Sequence, residues 1–517
     1  MTSTAEAAAT AERVAVVRCG DQIRTHDEVR ARAARLAGGL AAVGLEHGDR
    51  YGIVMRNEIG FIEATLAGSI LGAVPVAVNW HWTGDDLAHL LIDSAATAVI
   101  VHSDLLSAVE AVVPDGVAVI EAPVPSAVAG AYGFAVPDLT GRYPDTESLI
   151  ASSTPPSPSA TPPLSVIYTS GTTGLPKGIL RSPLTPEQSA ELFRVGAIGL
   201  GLGAARSTMI PAPLYHTAPN THAVFAIGLG LDLEIMPRFD EEEFLRLIQD
   251  RRIEHIQAVP TMFLRVLRLP EEKLRAYDLS SLRAIVHAAA PCPVDTKRRA
   301  IELFGPIVEE YYGGSETGMA VYCTALEWLD HPGTVGRPFA DAEVRILGPD
   351  DEELPAGETG DVYLKPFSAW PDFTYIGNDA KRRDMERDGF VTVGDIGHLD
   401  EDGFLFLSDR RNDMVISGGV NIYPAEIEAC LLAMPGILDA AVFGIPDAEF
   451  GEALAAHLEA DEGIQPTPDE VRDWVRSHLA AYKVPRVVVF EEKLPREETG
   501  KLFKRRLKEP YWMQADA

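Results

Sequence analysis

At 517 residues the chain is too long for one hydrophobic core, and at roughly 150 residues per domain it is expected to form about three or four folding units. Its 46% hydrophobic and 23% charged residues sit near average usage, which excludes disorder over most of the length, and no run approaches the roughly 18 apolar residues of a spanning helix; the best, Ala223 to Leu231, stops at Asp232. A formal charge of −31, from 45 Lys and Arg against 76 Asp and Glu, argues against a nucleic-acid partner and requires local capture devices for any anionic substrate.

The first residues, MTSTAEAAATAERVAVV, have no basic segment ahead of an apolar one, so a frayed terminus and a cytoplasmic protein are expected. Thr25 and Glu28 spell a capping box before the periodic run Val29 to Val43, and Gly44 stands where the helix should end. Strand-like runs at Tyr51–Met55, Val74–Val78 and Ala98–Val101, with a helical stretch around Phe61–Leu71, indicate βαβ units and a mostly parallel sheet. The Pro/Ser-rich residues 152–163 could be a domain linker, but they lead straight into the next motif, so a loop inside a large domain is the better reading. A charged cluster at Asp409–Asp413 marks a boundary, placed at Asp409. Beyond it a small α/β unit is expected: Pro424 at a helix start, strands Ala440–Ile445 and Ala453–Leu458, and a helix capped by Thr467 with Pro468 first and Glu470 closing the box. Cys19, Cys292, Cys323 and Cys430 are widely spaced and read as reduced packing residues. No repeat of roughly 20–50 residues is visible.

One loop carries most of the chemical information. Tyr168 to Gly178 reads YTSGTTGLPKG after the apolar Leu164–Ile167, so a strand runs into glycines that let backbone N–H groups approach an anion, hydroxyls on Ser170, Thr172 and Thr173 that can donate to phosphate, and the positive Lys177. A polyphosphate is the expected guest. A Walker A loop is excluded, because Pro176 and Gly178 flank the lysine where glycine and Ser/Thr belong.

With that loop the chain resembles the adenylate-forming superfamily of acyl-CoA synthetases, firefly luciferase and peptide-synthetase adenylation domains. Four further motifs follow in family order: YGGSETG at Tyr312–Gly318, TVGDIG at Thr392–Gly397, SDRRNDMVISGGVNIYPAEIE at Ser408–Glu428 and PREETGKLFKRRL at Pro495–Leu507. The resemblance implies an α/β fold: a large N-terminal domain, residues 1–408, of mixed and parallel sheets flanked by helices with a β-barrel-like subdomain, and a small mobile C-terminal α/β domain, 409–517, hinged at Asp409. It implies ATP-dependent activation of a carboxylic acid to acyl-AMP with pyrophosphate release, then thioester formation with CoA, in fatty or aromatic acid metabolism. ATP and Mg2+ are the expected cofactor set and a small-molecule carboxylic acid, ATP and CoA the partners, with homodimerisation left open.

Carried over by position, the resemblance gives Thr169, Ser170, Gly171, Thr172, Thr173, Gly174 and Lys177 to the ATP phosphates. Glu316 with Thr169 would hold magnesium, and a hard oxygen ligand suits that ion. Tyr312 would stack on adenine with Ala290 and Pro291 across the base, and Gly313 and Ser315 complete that turn. Asp395 would accept both ribose hydroxyls, which two carboxylate oxygens suit, with Arg410 beside ribose and phosphate. Lys501 would bridge the two anions that meet in adenylate formation, an effect of roughly 3–4 kcal/mol per donor; Gly500 and the family pattern separate it from Lys504, Arg505 and Arg506. Ser417, Gly418 and Gly419 resemble the tight wall of a thiol channel. Ser315 and Asn412 depart from the commoner threonine and lysine. In PLYHTAPN, Pro213–Asn220, His216 resembles the aromatic position near the carboxylate, and Ala288, Ala289, Gly313 and Gly314 leave room for a bulky apolar acid. No aspartate lies between Pro211 and Ala223 to pair an amino-acid ammonium. An amide bond synthetase, a carrier-protein loading domain and an inert nucleotide-binding protein remain as alternatives.

Overall fold

The structure, a computed structural model, describes residues 13–169, 176–447, 449–461, 463–464, 466–496 and 502–515. They fall into two compact units, one built from residues 13–169, 176–257 and 280–283, the other from 258–279 and the described residues from 284 onward.

In the first unit one sheet runs in the order Lys177–Arg181, Val166–Thr169, Val74–Ala77, Arg50–Val54, Ala96–His102 and Ala118–Ala122. Every neighbouring pair is parallel except the first, a hairpin. The parallel strands are rich in Val, Ile and Ala and are buried nearly throughout, the pattern of a sheet covered on both faces. A second set, His255–Ala258, Ser207–Ile210, Asp232–Ile235, Val16–Cys19 and Gln22–Thr25, is parallel up to its closing hairpin. The expected capping box is complete: Thr25 accepts from Glu28 N at 3.1 Å, Glu28 accepts from Thr25 N at 2.7 Å, and the helix spans His26–Ala42 with Gly44 left-handed beyond it. Such a cap contributes roughly 1 kcal/mol. The Pro/Ser-rich segment lies within this unit, where Ser159 N donates to the Ile70 carbonyl at 2.8 Å.

A polar trio is sealed into that core. The Thr208 hydroxyl lies 2.7 Å from His222 Nε2 and 2.9 Å from His255 Nδ1, and all three side chains are inaccessible. Burial drives both imidazoles below their ordinary value of 6.5, His255 to about 3. The folded form therefore holds them neutral, while the unfolded chain takes up protons as pH drops through 6.5. Stability from these groups is complete above that pH and is lost below it. His255→Gln cannot protonate there, so its unfolding free energy is expected to decline less than the parent's on acidification from pH 6.5 to 4.5, by about 1.4 kcal/mol per pH unit at most; parallel denaturant titrations check this, and equal slopes would reject it.

In the second unit Ala284–His287 and Val308–Tyr312 are parallel neighbours, extended antiparallel by Val321–Cys323 and Arg337–Pro338. Lys297, wholly buried, places Nζ 2.5 Å from Glu310 Oε2 and 5.1 Å from the Trp328 ring centre. Six antiparallel strands between Glu343 and Arg410 answer to the expected barrel-like part. The C-terminal sheet takes Val415–Ser417, Val420–Ile422, Gly451–Ala460, Ile437–Asp447 and Val487–Glu491, and helices Pro424–Leu432 and Pro468–His478 bury Ile427, Leu431, Val471 and Val475 against it. Pro424 and Pro468 start their helices, and Thr467 with Glu470 forms the expected box. All four cysteines are free thiols. Among the described residues no helix is long and apolar enough to cross a membrane.

Candidate active site

In the first unit, strands Val166–Thr169 and Lys177–Arg181 pair antiparallel with Thr169 opposite Lys177, so the two ends of the glycine- and hydroxyl-rich loop are held side by side. Ser170, Gly171, Thr172, Thr173 and Gly174 lie outside the described residues. The root of the loop is braced by helix Gly84–Asp93: Tyr168 Oη donates to Asp93 Oδ2 at 2.7 Å and His89 Nε2 to the Pro176 carbonyl at 3.0 Å. His216 occupies the N-cap position of helix Thr217–Leu229, its ring 4.4 Å from that of Tyr215. The turn before it is pinned by buried Asn57, whose Nδ2 donates to the Ala212 carbonyl at 2.9 Å and whose Oδ1 accepts from Leu214 N at 2.7 Å. Sequence reasoning missed Asn57, because an amide between Arg56 and Glu58 gives no local signal that it is buried.

In the second unit the parallel pair Ala284–His287 and Val308–Tyr312 releases two candidate loops, residues 288–291 and 313–318, from adjacent carboxyl ends. In open α/β sheets ligands gather at that edge. Ala289 sits there with φ +76°, a conformation that costs a residue with a side chain on the order of 1–3 kcal/mol and concentrates at functional sites. Tyr312 Oη donates to Asp395 Oδ2 at 2.6 Å, and Asp395 opens the strand Asp395–Leu399 opposite Arg410, whose Nε is 3.4 Å from Asp395 Oδ1. Burial first, then the Asp395 carboxylate, pushes the Tyr312 phenol well up, so it stays a donor. The Arg410 side chain is exposed, and against partial desolvation Asp395 and Asp413 hold its guanidinium above its ordinary value. Tyr312, Asp395 and Arg410 thus form one preassembled donor and acceptor cluster.

The turn after Tyr312 is tight. Gly318 N donates to the Gly314 carbonyl at 2.8 Å and Gly314 N to Thr317 Oγ1 at 2.9 Å. A Cβ on Gly313 would stand 1.7 Å from the Gly318 carbonyl oxygen, so no side chain fits. Ser315 lies in the same turn. Glu316 is aimed by two residues the sequence did not flag: Tyr375 Oη donates to its Oε1 at 2.8 Å and Trp370 Nε1 to its carbonyl at 3.0 Å.

Asp409 accepts from Arg410 N at 2.7 Å and, through its other oxygen, from Ala425 N at 2.9 Å. The second bond places a carboxylate at the start of helix Pro424–Leu432, where helix polarity favours negative charge. Ser417, Gly418 and Gly419 form a separate hairpin turn, with φ +58° and +80° at the glycines and Ser417 opposite Val420. Lys501 lies outside the described residues.

The family pattern described as AMP-binding enzyme matches residues 4–367, and that described as AMP-binding enzyme C-terminal domain matches residues 426–501. The chain is 31% identical over 490 residues to the feruloyl-CoA synthase of an Amycolatopsis species, covering 94% of each chain. To the long-chain-fatty-acid–CoA ligase FadD13 of Mycobacterium tuberculosis it is 30% identical over 496 residues, 94% of this chain and 93% of that one. Among solved structures, the o-succinylbenzoate CoA synthetase MenE of Bacillus subtilis, in complex with its acyl-adenylate intermediate, superposes with a TM-score of 0.80 at 26% identity over 97% of this chain and 96% of that one. The amide bond synthetase McbA of Marinactinospora thermotolerans shares the fold, with a TM-score of 0.81 at 24% identity over 96% of each chain.

Proposed function

The chain belongs to the AMP-binding enzyme family, and is an AMP-forming ligase of the acyl-CoA synthetase kind; we propose that it activates a bulky apolar or aromatic carboxylic acid and transfers the acyl group to CoA. In the first step a carboxylate oxygen attacks the α-phosphorus of ATP and pyrophosphate leaves. In the second the CoA sulfur, giving up its proton, attacks the acyl carbonyl and AMP leaves. The observation that carries this reading is the cluster of Tyr312, Asp395 and Arg410, because it presents a carboxylate, a fixed phenol and a guanidinium together, the groups needed to grip a nucleoside monophosphate as both substrate half and leaving group.

Within this reading Asp395 takes the ribose hydroxyls, Tyr312 faces adenine with Ala290 and Pro291, and Arg410 neutralises phosphate charge. Thr169, Lys177 and the five loop residues between Ser170 and Gly174 take the β- and γ-phosphates. Glu316 and Thr169 would hold Mg2+, which suits a carboxylate already oriented by Tyr375; the ion would supply charge neutralisation on the phosphates. His216 guards the acid's path, and Ala288 and Ala289 leave room in the acyl pocket; Gly313 and Gly314 do not widen it, because the Gly318 carbonyl oxygen and the Glu316 carboxylate stand where their Cβ atoms would be. Residues 409–517 act as the mobile domain, turning at Asp409 to exchange Lys501 for the Ser417–Gly419 hairpin between the two steps.

The test is mass spectrometry of products formed with magnesium-ATP, CoA and a panel of ferulic, o-succinylbenzoic, dodecanoic and acetic acids, run in parallel with benzylamine in place of CoA. Acyl-CoA with AMP from the larger acids is expected. Turnover of acetate alone would remove the bulky-acid reading, and amide forming faster than thioester would transfer the chain to the amide-synthetase reading.

A further inference from the structure

The lysine motif holds four cations between Lys501 and Arg506, and the described ones are not equivalent. Downstream of residues 497–501 the chain is tied back: Phe503 N donates to the Pro495 carbonyl at 2.8 Å, Leu502 forms an antiparallel bridge with Arg496, and Arg496 Nη2 reaches Asp439 Oδ1 at 2.6 Å. Lys504 then opens the helix Lys504–Ala515 with Nζ 2.8 Å from Glu428 Oε1, both side chains being less than a fifth exposed. That same Glu428 oxygen accepts from Val442 N at 2.7 Å, so the carboxylate is fixed by the strand beneath it. Glu428 belongs to the helix Pro424–Leu432, whose first turn donates to Asp409. Asp409 and Asp413 add their negative charge around the same ammonium. Lys504 is thereby committed to Glu428, and leaving it for a substrate would strand a largely buried carboxylate.

We propose that Lys504 is the positioning residue for Lys501: anchored to Glu428, it fixes the chain three residues past Lys501 relative to the start of the mobile domain at Asp409. Three residues span at most about 10–11 Å even when extended, so an anchored Lys504 confines where the Lys501 ammonium can act. Without the anchor the lysine is presented in the wrong place more often, and misplacement by about 1 Å at a reacting centre can lower a rate by about 10²-fold. This rests on the reading of Lys501 above.

The experiment measures the two half-reactions separately on the full chain: pyrophosphate release with the panel acid turned over fastest, and thioester formation from the matching synthetic acyl-AMP and CoA. Lys504→Met is expected to slow pyrophosphate release by about 10²-fold with thioester formation within about threefold, and Lys504→Arg to restore most of the loss, since a guanidinium can also reach Glu428. A merely structural role would lower both half-reactions together, and that result, or an unaffected pyrophosphate release, overturns the proposal. Should Lys504→Met fail to fold, Lys504→Met with Glu428→Leu removes both charges and carries the same test, with full adenylation again overturning it. Lys501→Ala is the reference: if it adenylates normally, the underlying reading of Lys501 fails, whereas its loss beside a normal Lys504→Met defeats only the positioning role.

Discussion

Lys501→Ala is expected to lower acyl-adenylate formation by about 10²–10³-fold, the loss seen when one preorganised donor to a developing charge is removed, while thioester formation from supplied acyl-AMP changes little. The asymmetry follows from charge. Only the first half-reaction brings two anions, carboxylate and α-phosphate, into contact, and only there does a bridging ammonium stabilise the transition state more than the ground state. Gly419→Leu is expected to do the reverse. Gly419 holds φ +80° in the turn between Val415–Ser417 and Val420–Ile422, so leucine there adds left-handed strain on the order of 1–3 kcal/mol and, under the proposed thiol-channel role of this turn, a branched side chain in the path of CoA. Pyrophosphate-release and thioester assays on both variants check the pair; equal loss of both steps in both variants would reject the two-conformation scheme.

Lys297→Met is expected to destabilise the protein by about 3–5 kcal/mol. Lys297 and Glu310 meet at 2.5 Å with the lysine wholly buried, and His287 Nε2 lies 3.6 Å from the same Glu310 oxygen. Burial already raises the Glu310 carboxyl, and Lys297 is what offsets it; the neighbouring His287 is held neutral, first by burial and then by Lys297 itself. Methionine fills much of the lysine's volume but leaves the carboxylate without its cation. Adding Glu310→Leu removes the stranded charge, and the double variant is expected to recover most of the loss, because a well-packed apolar pair often equals or exceeds a buried ion pair. Urea titrations of the parent, single and double variants check this, and a single variant as stable as the parent would show that Glu310 protonates at no cost.

Local signals in the sequence carried over into the fold where one residue type has one physical use. Thr25 with Glu28 and Thr467 with Pro468 and Glu470 can satisfy orphan helix N–H groups in only one way, and both boxes form. The short apolar runs at Tyr51–Met55 and Val74–Val78 became the neighbouring parallel strands Arg50–Val54 and Val74–Ala77 because buried β positions leave little else for such residues to do. Tyr312, Asp395 and Arg410 were legible as candidates, since each stands in a motif, and the fold brings the three side chains together. Their supports were not. Tyr375 and Trp370 act on Glu316 from 59 and 54 residues away, and Asn57 acts on Ala212 from 155; nothing local to an aromatic or an amide announces a partner at that distance. Lys504 shows the other limit, because charge alone could not divide a basic run into an anchored lysine and its neighbours.

The strand Val16–Cys19 pairs in parallel with Asp232–Ile235, and Val16 N donates to Asp232 Oδ1 at 3.1 Å across 216 residues. During synthesis at about 5–20 residues per second, that first strand must wait roughly 10–40 s on the ribosome before its partner exists. Through that interval it offers an unpaired β edge to every other nascent chain nearby, so the yield of active protein should respond to chaperone supply and to translation speed as well as to the stability of the finished fold.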